Sequence, residues 1–104
     1  MNQKHYSHII YTKRSKAVDL TPLLSQDLTR SRFTNGVINI TAPYADCAIL
    51  IRGKHGDELK NEVGVSVTLP FFNSKLVASN LRVVLVDRAK TSTRRKIHLT
   101  LIGE

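Results

Sequence analysis

Nine of the sixteen lysines and arginines in this 104-residue chain fall in two stretches without a single acid. Residues 1–16 hold Lys4, Lys13, Arg14 and Lys16, and residues 88–96 hold Arg88, Lys90, Arg94, Arg95 and Lys96. Ser15, Thr91, Ser92 and Thr93 lie between these cations and add hydroxyl donors. Ammonium and guanidinium groups mixed with hydroxyls suit the oxygens of a phosphate backbone. Four of the eight acids lie in residues 46–62, so charge is segregated along the chain, as a binding face requires. The competing reading is that "KRSK" and "RAKTSTRRK" are solvated turns or subunit contacts.

Other reactive side chains are sparse. The histidines are His5, His8, His55 and His98. His5 and His8 fall on opposite faces of a strand, and His98 faces outward by alternation, so surface imidazoles are expected and no metal site or cofactor is. Cys47 opens an apolar run, which suits a buried small hydrophobe better than a nucleophile. Asp87 is expected to pair with Arg88 or to cap a turn. "RGKHG" has two glycines but lacks the strand–loop–helix setting of a nucleotide-phosphate loop.

Periodicity gives the elements that must position these groups. "HYSHIIYT" reads as the first strand and "KRSK" as the turn after it. "DLTPLLSQDLTRSRF" reads as a helix, with Thr21 as cap, Pro22 in the first turn, and Leu23, Leu24 and Leu28 on one side. "GVINIT" alternates, placing Ile38 and Ile40 on one face. "CAILI" is a short buried strand, and "DELKNEV" a possible two-turn helix. "VSVTLP" points Val65, Val67 and Leu69 inward, and Phe71-Phe72 follow in a loop. "LRVVLV" reads as a central strand, and "KIHLTLI" points Ile97, Leu99 and Leu101 inward. About six strands and one main helix predict an α+β, mostly β, sandwich-like fold forming a single domain over residues 1–104.

The single cysteine, the absence of a membrane-length apolar run and the lack of an apolar signal-peptide segment at the N-terminus predict a cytoplasmic protein with no membrane partner.

The block "VSVTLPFFNSKLVASNLRVVLVDRAKTSTRRKIHLTLIGE" resembles the C-terminal half of the YjbQ-like family, often called secondary thiamine-phosphate synthases. "TKRSKAVDLTPLLSQDL" and "GVINITAPYADCAILI" resemble its first strand, turn and helix and its next two strands. The resemblance implies a compact β-rich fold, commonly a homotrimer with sites near subunit boundaries. It also implies where an active site would lie, and there this chain departs from the pattern. Pro43-Tyr44-Ala45 stands in place of a His-Thr-Ser-like tripeptide, and Arg52-Gly53 in place of an Asn-Glu pair. Val86-Asp87-Arg88-Ala89 replaces Gly-Glu-His-Arg, and a segment with a further histidine is missing.

The expectation is a non-enzymatic YjbQ-like protein that binds a nucleic-acid phosphate backbone, RNA or a ribonucleoprotein such as the ribosome, through Lys13, Arg14, Lys16, Arg88, Lys90, Arg94, Arg95 and Lys96. Duplex DNA is disfavoured because no motif for entering a major groove is present. The alternatives are a remnant enzyme acting on a phosphorylated small molecule through Asp87 and Arg88, and a structural assembly protein.

Overall fold

The computed structural model describes residues 1–53, 61–62, 65–76, 81–91 and 93–104. In chain order the elements are β1 (Asn2–Tyr11), β2 (Ala17–Asp19), α1 (Thr21–Ser31), β3 (Gly36–Thr41), β4 (Cys47–Gly53), β5 (Asn61–Glu62), β6 (Ser66–Phe72), β7 (Lys75–Leu76), β8 (Leu81–Asp87) and β9 (Arg94–Gly103). They form two antiparallel sheets. One has the order β1-β9-β3-β6-β7 and the other β2-β8-β4-β5.

Alternation decides which side chains meet between the sheets. Ile38 and Ile40 of β3, and Ile97, Leu99 and Leu101 of β9, are fully buried. Ile49 of β4 and Leu85 of β8 oppose them from the smaller sheet, and Leu24 and Leu28 bring in the apolar stripe of α1. β9 lies between β1 and β3, pairing with β1 from Arg94↔Tyr11 to Gly103↔Asn2. The α+β, mostly β, sandwich with one main helix is therefore the observed architecture.

Several details differ from the sequence reading. Among the described residues, six expected strands become nine because β2, β5 and β7 are two- and three-residue pairings too short to carry a periodic signal. The end of the expected short helix, Asn61–Glu62, pairs with Ile51 and Leu50 of β4; the rest of "DELKNEV" lies outside the described residues. Phe71 and Phe72 continue β6 instead of leaving it, so Phe71 is buried and Phe72 exposed. Val65 precedes the strand and is exposed.

Thr21 does not cap the helix. Leu20 holds the cap position, and the Asp19 carboxylate accepts the Thr21 N–H at 3.0 Å. The Thr21 hydroxyl instead accepts the Val83 N–H at 2.8 Å, tying the helix start to β8. At the other end Arg32 is left-handed (φ 62°) and its N–H reaches the Thr29 carbonyl, closing the last turn. Among the described residues, no helix is long and apolar enough to cross a membrane.

Gly103 and Gly36 allow β9 and β3 to meet at their ends. A Cβ at Gly103 would run into the Asn35 carbonyl oxygen, and one at Gly36 into that of Ile102. The partners are backbone, so a side chain cannot be accommodated by a rotamer change. We expect Gly103→Ala to lower the urea midpoint of unfolding. Leu99→Ala should cost about 2–5 kcal/mol, whereas Val37→Thr on the outer face should stay within about 0.5 kcal/mol.

Candidate nucleic-acid interface

Three turns close one end of the sandwich. Residues 12–16 join β1 to β2, residues 42–46 join β3 to β4, and residues 88–93 join β8 to β9. Backbone hydrogen bonds hold them together. The Thr12 N–H donates to the Thr93 carbonyl (2.9 Å), the Asp87 N–H to Lys16 (2.8 Å), and the Arg88 N–H to Asp46 (2.9 Å). The two basic stretches, more than seventy residues apart in sequence, are thus neighbours on one scaffold. Lys13, Arg14, Arg88, Lys90, Arg94 and Lys96 are exposed there, and Lys16 is half-buried. Lys4 is elsewhere: its Nζ donates to the Ser31 carbonyl (2.6 Å) and sits over the Phe33 ring.

Arg95 has a different post from the one expected. It points inward between Arg94 and Lys96, with a side chain only 12% exposed. Its Nε and Nη2 donate to the two oxygens of Asp87 at 3.0 and 3.1 Å. Nη2 also lies 2.9 Å from Asp46 Oδ2, and the guanidinium stacks on Tyr44 with its centre 4.5 Å from the ring centroid. These hydrogen bonds raise its already high pKa, Asp87 contributing most. Its Nε and Nη2 are committed to carboxylates, so Arg95 builds the site rather than presenting itself to a ligand.

The Asp87 carboxylate is fully buried and its acceptors are filled. Besides Arg95 it takes the Thr12 hydroxyl at 2.8 Å and the Ala89 N–H at 3.0 Å. The expected turn cap is present, but the bidentate partner is Arg95, eight residues on, in the facing sheet. Cys47 is buried beside this group, and desolvation, with the nearby Asp87 and Asp46, pushes its thiol pKa up against the opposing pull of Arg95. Ligand atoms of Asp46, Cys47 and Asp87 lie within 4.8 Å of one another. Both carboxylates already face the guanidinium, and the thiol favours its neutral form, so the chemistry of this set suits Arg95 better than a metal ion.

Above the cluster, Ile9, Tyr44, Arg94, Arg95 and Lys96 line an open cleft of about 280 Å³. The Tyr44 hydroxyl accepts the Lys96 N–H at 3.0 Å, fixing the cleft wall. Sequence reasoning missed Thr12, Tyr44 and Asp46 because each acts through a partner far away in the chain.

The histidines are separated. His5 and His98 face outward on the larger sheet, where His5 shares a hydrogen bond with Thr100 and His98 with Ser7, each at 3.0 Å. His8 is not a surface imidazole. It turns inward and its Nε2 lies 2.6 Å from the buried Asp27 carboxylate of α1. His55 lies outside the described residues.

Neither a protein-family model nor a curated protein matches the sequence. Solved structures do. A YbjQ-like protein of unknown function from Sulfolobus solfataricus P2 is 19% identical with a TM-score of 0.76, over 99% of this chain and 100% of that one. A hypothetical protein from Aeropyrum pernix K1 is 16% identical with a TM-score of 0.79, over 97% and 99%. An uncharacterized conserved protein of the YjbQ family from Clostridium acetobutylicum is 16% identical with a TM-score of 0.75, over 93% and 99%. The chain shares the fold of YjbQ-like proteins along nearly its whole length, which bears out the resemblance at the level of the fold.

Removing the Arg95 guanidinium would leave a buried carboxylate without its counter-charge. Arg95→Ala should therefore cost about 3–5 kcal/mol, measured by denaturant unfolding. Arg95→Lys should recover only part of that loss, because an ammonium cannot reproduce the bidentate geometry. The Cys47 thiol should react with an alkylating probe at neutral pH far more slowly in the folded protein than in denaturant.

Proposed function

We propose that the protein is a non-catalytic, basic member of this fold whose cationic end grips the phosphate backbone of RNA, free or in a ribonucleoprotein such as the ribosome. What supports the reading is the meeting of the turn after β1 with the end of β8 and the start of β9 through the Thr12–Thr93 and Asp87–Lys16 backbone hydrogen bonds, which concentrates exposed cations at one end of a rigid sandwich. Among the described residues at that end, the acids are Asp46 and Asp87, and both are drawn to Arg95. The outward field is therefore dominated by Lys13, Arg14, Arg88, Lys90, Arg94 and Lys96.

The cleft formed by Tyr44, Arg94 and Lys96 offers a planar ring beside two positive side chains, suited to a phosphate flanked by a sugar or base. A non-catalytic role is favoured because Tyr44 and Asp87 occupy positions where the YjbQ-like pattern has site residues, and here both are held by Arg95. In this reading the protein works in the cytoplasm, where a lone thiol stays reduced.

Binding of this kind releases condensed counterions, so affinity for RNA should fall steeply with salt. Replacing Lys13, Arg14, Lys90 and Lys96 together with Ala should lower the log–log salt slope by about 0.7–0.9 for each phosphate that is no longer neutralised. Folding is monitored alongside, and Arg95 is left intact because its loss would act through stability. An unchanged slope would remove this end from the interface.

A further inference from the structure

The outer face of the five-stranded sheet is a second surface that the basic end does not explain. Strand pairing sets its side chains in rows. One row runs across four strands through His5, Thr100, Asn39 and Thr68. The next runs through Ser7, His98, Thr41 and Ser66. These eight side chains are imidazoles, an amide and hydroxyls, and they are ordered by mutual hydrogen bonds. His5 meets Thr100 and Ser7 meets His98, while the Asn39 amide donates to Ser66 and Thr68 at 3.0 Å and its carbonyl accepts from Thr41 at 2.9 Å.

Such groups donate and accept in either direction, which is what reading the edge of an unpaired base requires. No Asp or Glu lies among the outward residues of β1, β9, β3, β6 and β7. Two aromatic rings sit at opposite corners. Tyr11 is 71% exposed where β1 ends, beside Arg94, and Phe72 is 58% exposed where β6 ends, beside Lys75. Strand rise and spacing put these corners roughly 35 Å apart.

We infer that this face is a platform for single-stranded RNA, which enters at the cationic end past Arg94 and Lys96 and crosses the polar rows with its bases towards the sheet. The inference rests on the RNA reading above and adds which form of RNA is bound and by what path. Tyr11 stacks the first base beyond the phosphate grip, the two rows contact base edges and 2′-hydroxyls, and Phe72 supports a base at the far corner. The charge complementarity is one-sided, since a polyanion meets cations at the entrance and no carboxylate on the path. A duplex keeps its base edges paired and its rings covered, so it can use only the cationic end.

The test compares three polyanions at fixed salt: a short uridine-rich oligoribonucleotide, the same strand annealed to its complement, and heparin. Wild-type protein should bind the single strand tightest. Tyr11→Ala should weaken single-strand binding about tenfold, within the range known for removal of one base stack, and leave heparin binding unchanged. Tyr11→Phe should restore it, and His98→Ala should reduce it with no change in the salt slope. Light-induced cross-links from bromouridine should map to Tyr11 or Phe72. Equal binding of all three polyanions, with Tyr11→Ala indifferent, overturns the platform while leaving the cationic grip standing. Absence of salt-sensitive binding to any of them overturns both. A protein-only oligomer that Tyr11→Ala dissociates would show that the face is covered by a second copy, and would also overturn the platform.

Discussion

The bidentate ion pair between Asp87 and Arg95 is the constraint on which the arrangement of the cationic end depends. Asp87 is the last residue of β8 in one sheet, and Arg95 the second residue of β9 in the other. Their pairing is a polar tie across the sandwich at the end where the apolar core stops. A buried carboxylate is tolerated only when its acceptors are filled, and here two guanidinium N–H groups, the Thr12 hydroxyl and the Ala89 amide fill them. Such a pair adds little net stability compared with apolar packing, yet losing one member is severe. Its effect is on geometry. It fixes the ends of β1, β8 and β9 relative to one another, and with Asp46 and Tyr44 it brings in the turn before β4 as well.

From that tie follows the division of labour among three consecutive cations. A strand alternates, so placing Arg95 inside forces Arg94 and Lys96 outside. The inner arginine offsets part of the negative charge of Asp46 and Asp87, and its two neighbours face outward. A run of positive charge that looks uniform in the sequence is therefore one structural residue between two surface residues. The same tie occupies Tyr44 and Asp87. The fold is retained at 16–19% identity to its solved neighbours, because alternation and a helical stripe specify the sandwich without requiring particular side chains at its end.

The larger sheet shows the same separation on a wider scale. Its inner face is Ile, Leu and Val from β3, β6 and β9, sealed by α1. Its outer face carries two hydrogen-bonded rows of polar side chains, flanked by a row through Gln3, Ile102, Val37 and Pro70, and no carboxylate. Cross-strand hydrogen bonds link the side chains within those rows. Order without burial at a polar surface is what low-entropy recognition of a ligand uses.

How far the sequence could be read depends on the range of the interaction concerned. Ile38 and Ile40, Ile97, Leu99 and Leu101, and the Leu24/Leu28 stripe carried their burial in their spacing, because hydrophobic alternation is local. That spacing, with the punctuation at Pro22 and Asn35-Gly36, was enough for the β-rich sandwich and its main helix, while the likeness to the YjbQ-like fold lay in the resemblance of blocks such as "VSVTLP" and "RRKIHLTLIGE". β2, β5 and β7 were illegible, since strands of two or three residues exist only through their partners. Phe71 and Phe72 looked like a loop because Pro70 precedes them, and pairing of Phe71 with Gly36 and Leu76 and of Phe72 with Lys75 makes them strand. The role of Arg95, the inward turn of His8 to Asp27 and the meeting of the two basic stretches were settled in the folded chain alone. Each needs residues brought together by sheet closure, and a one-dimensional charge pattern cannot say which cation will find a buried carboxylate and which will face water.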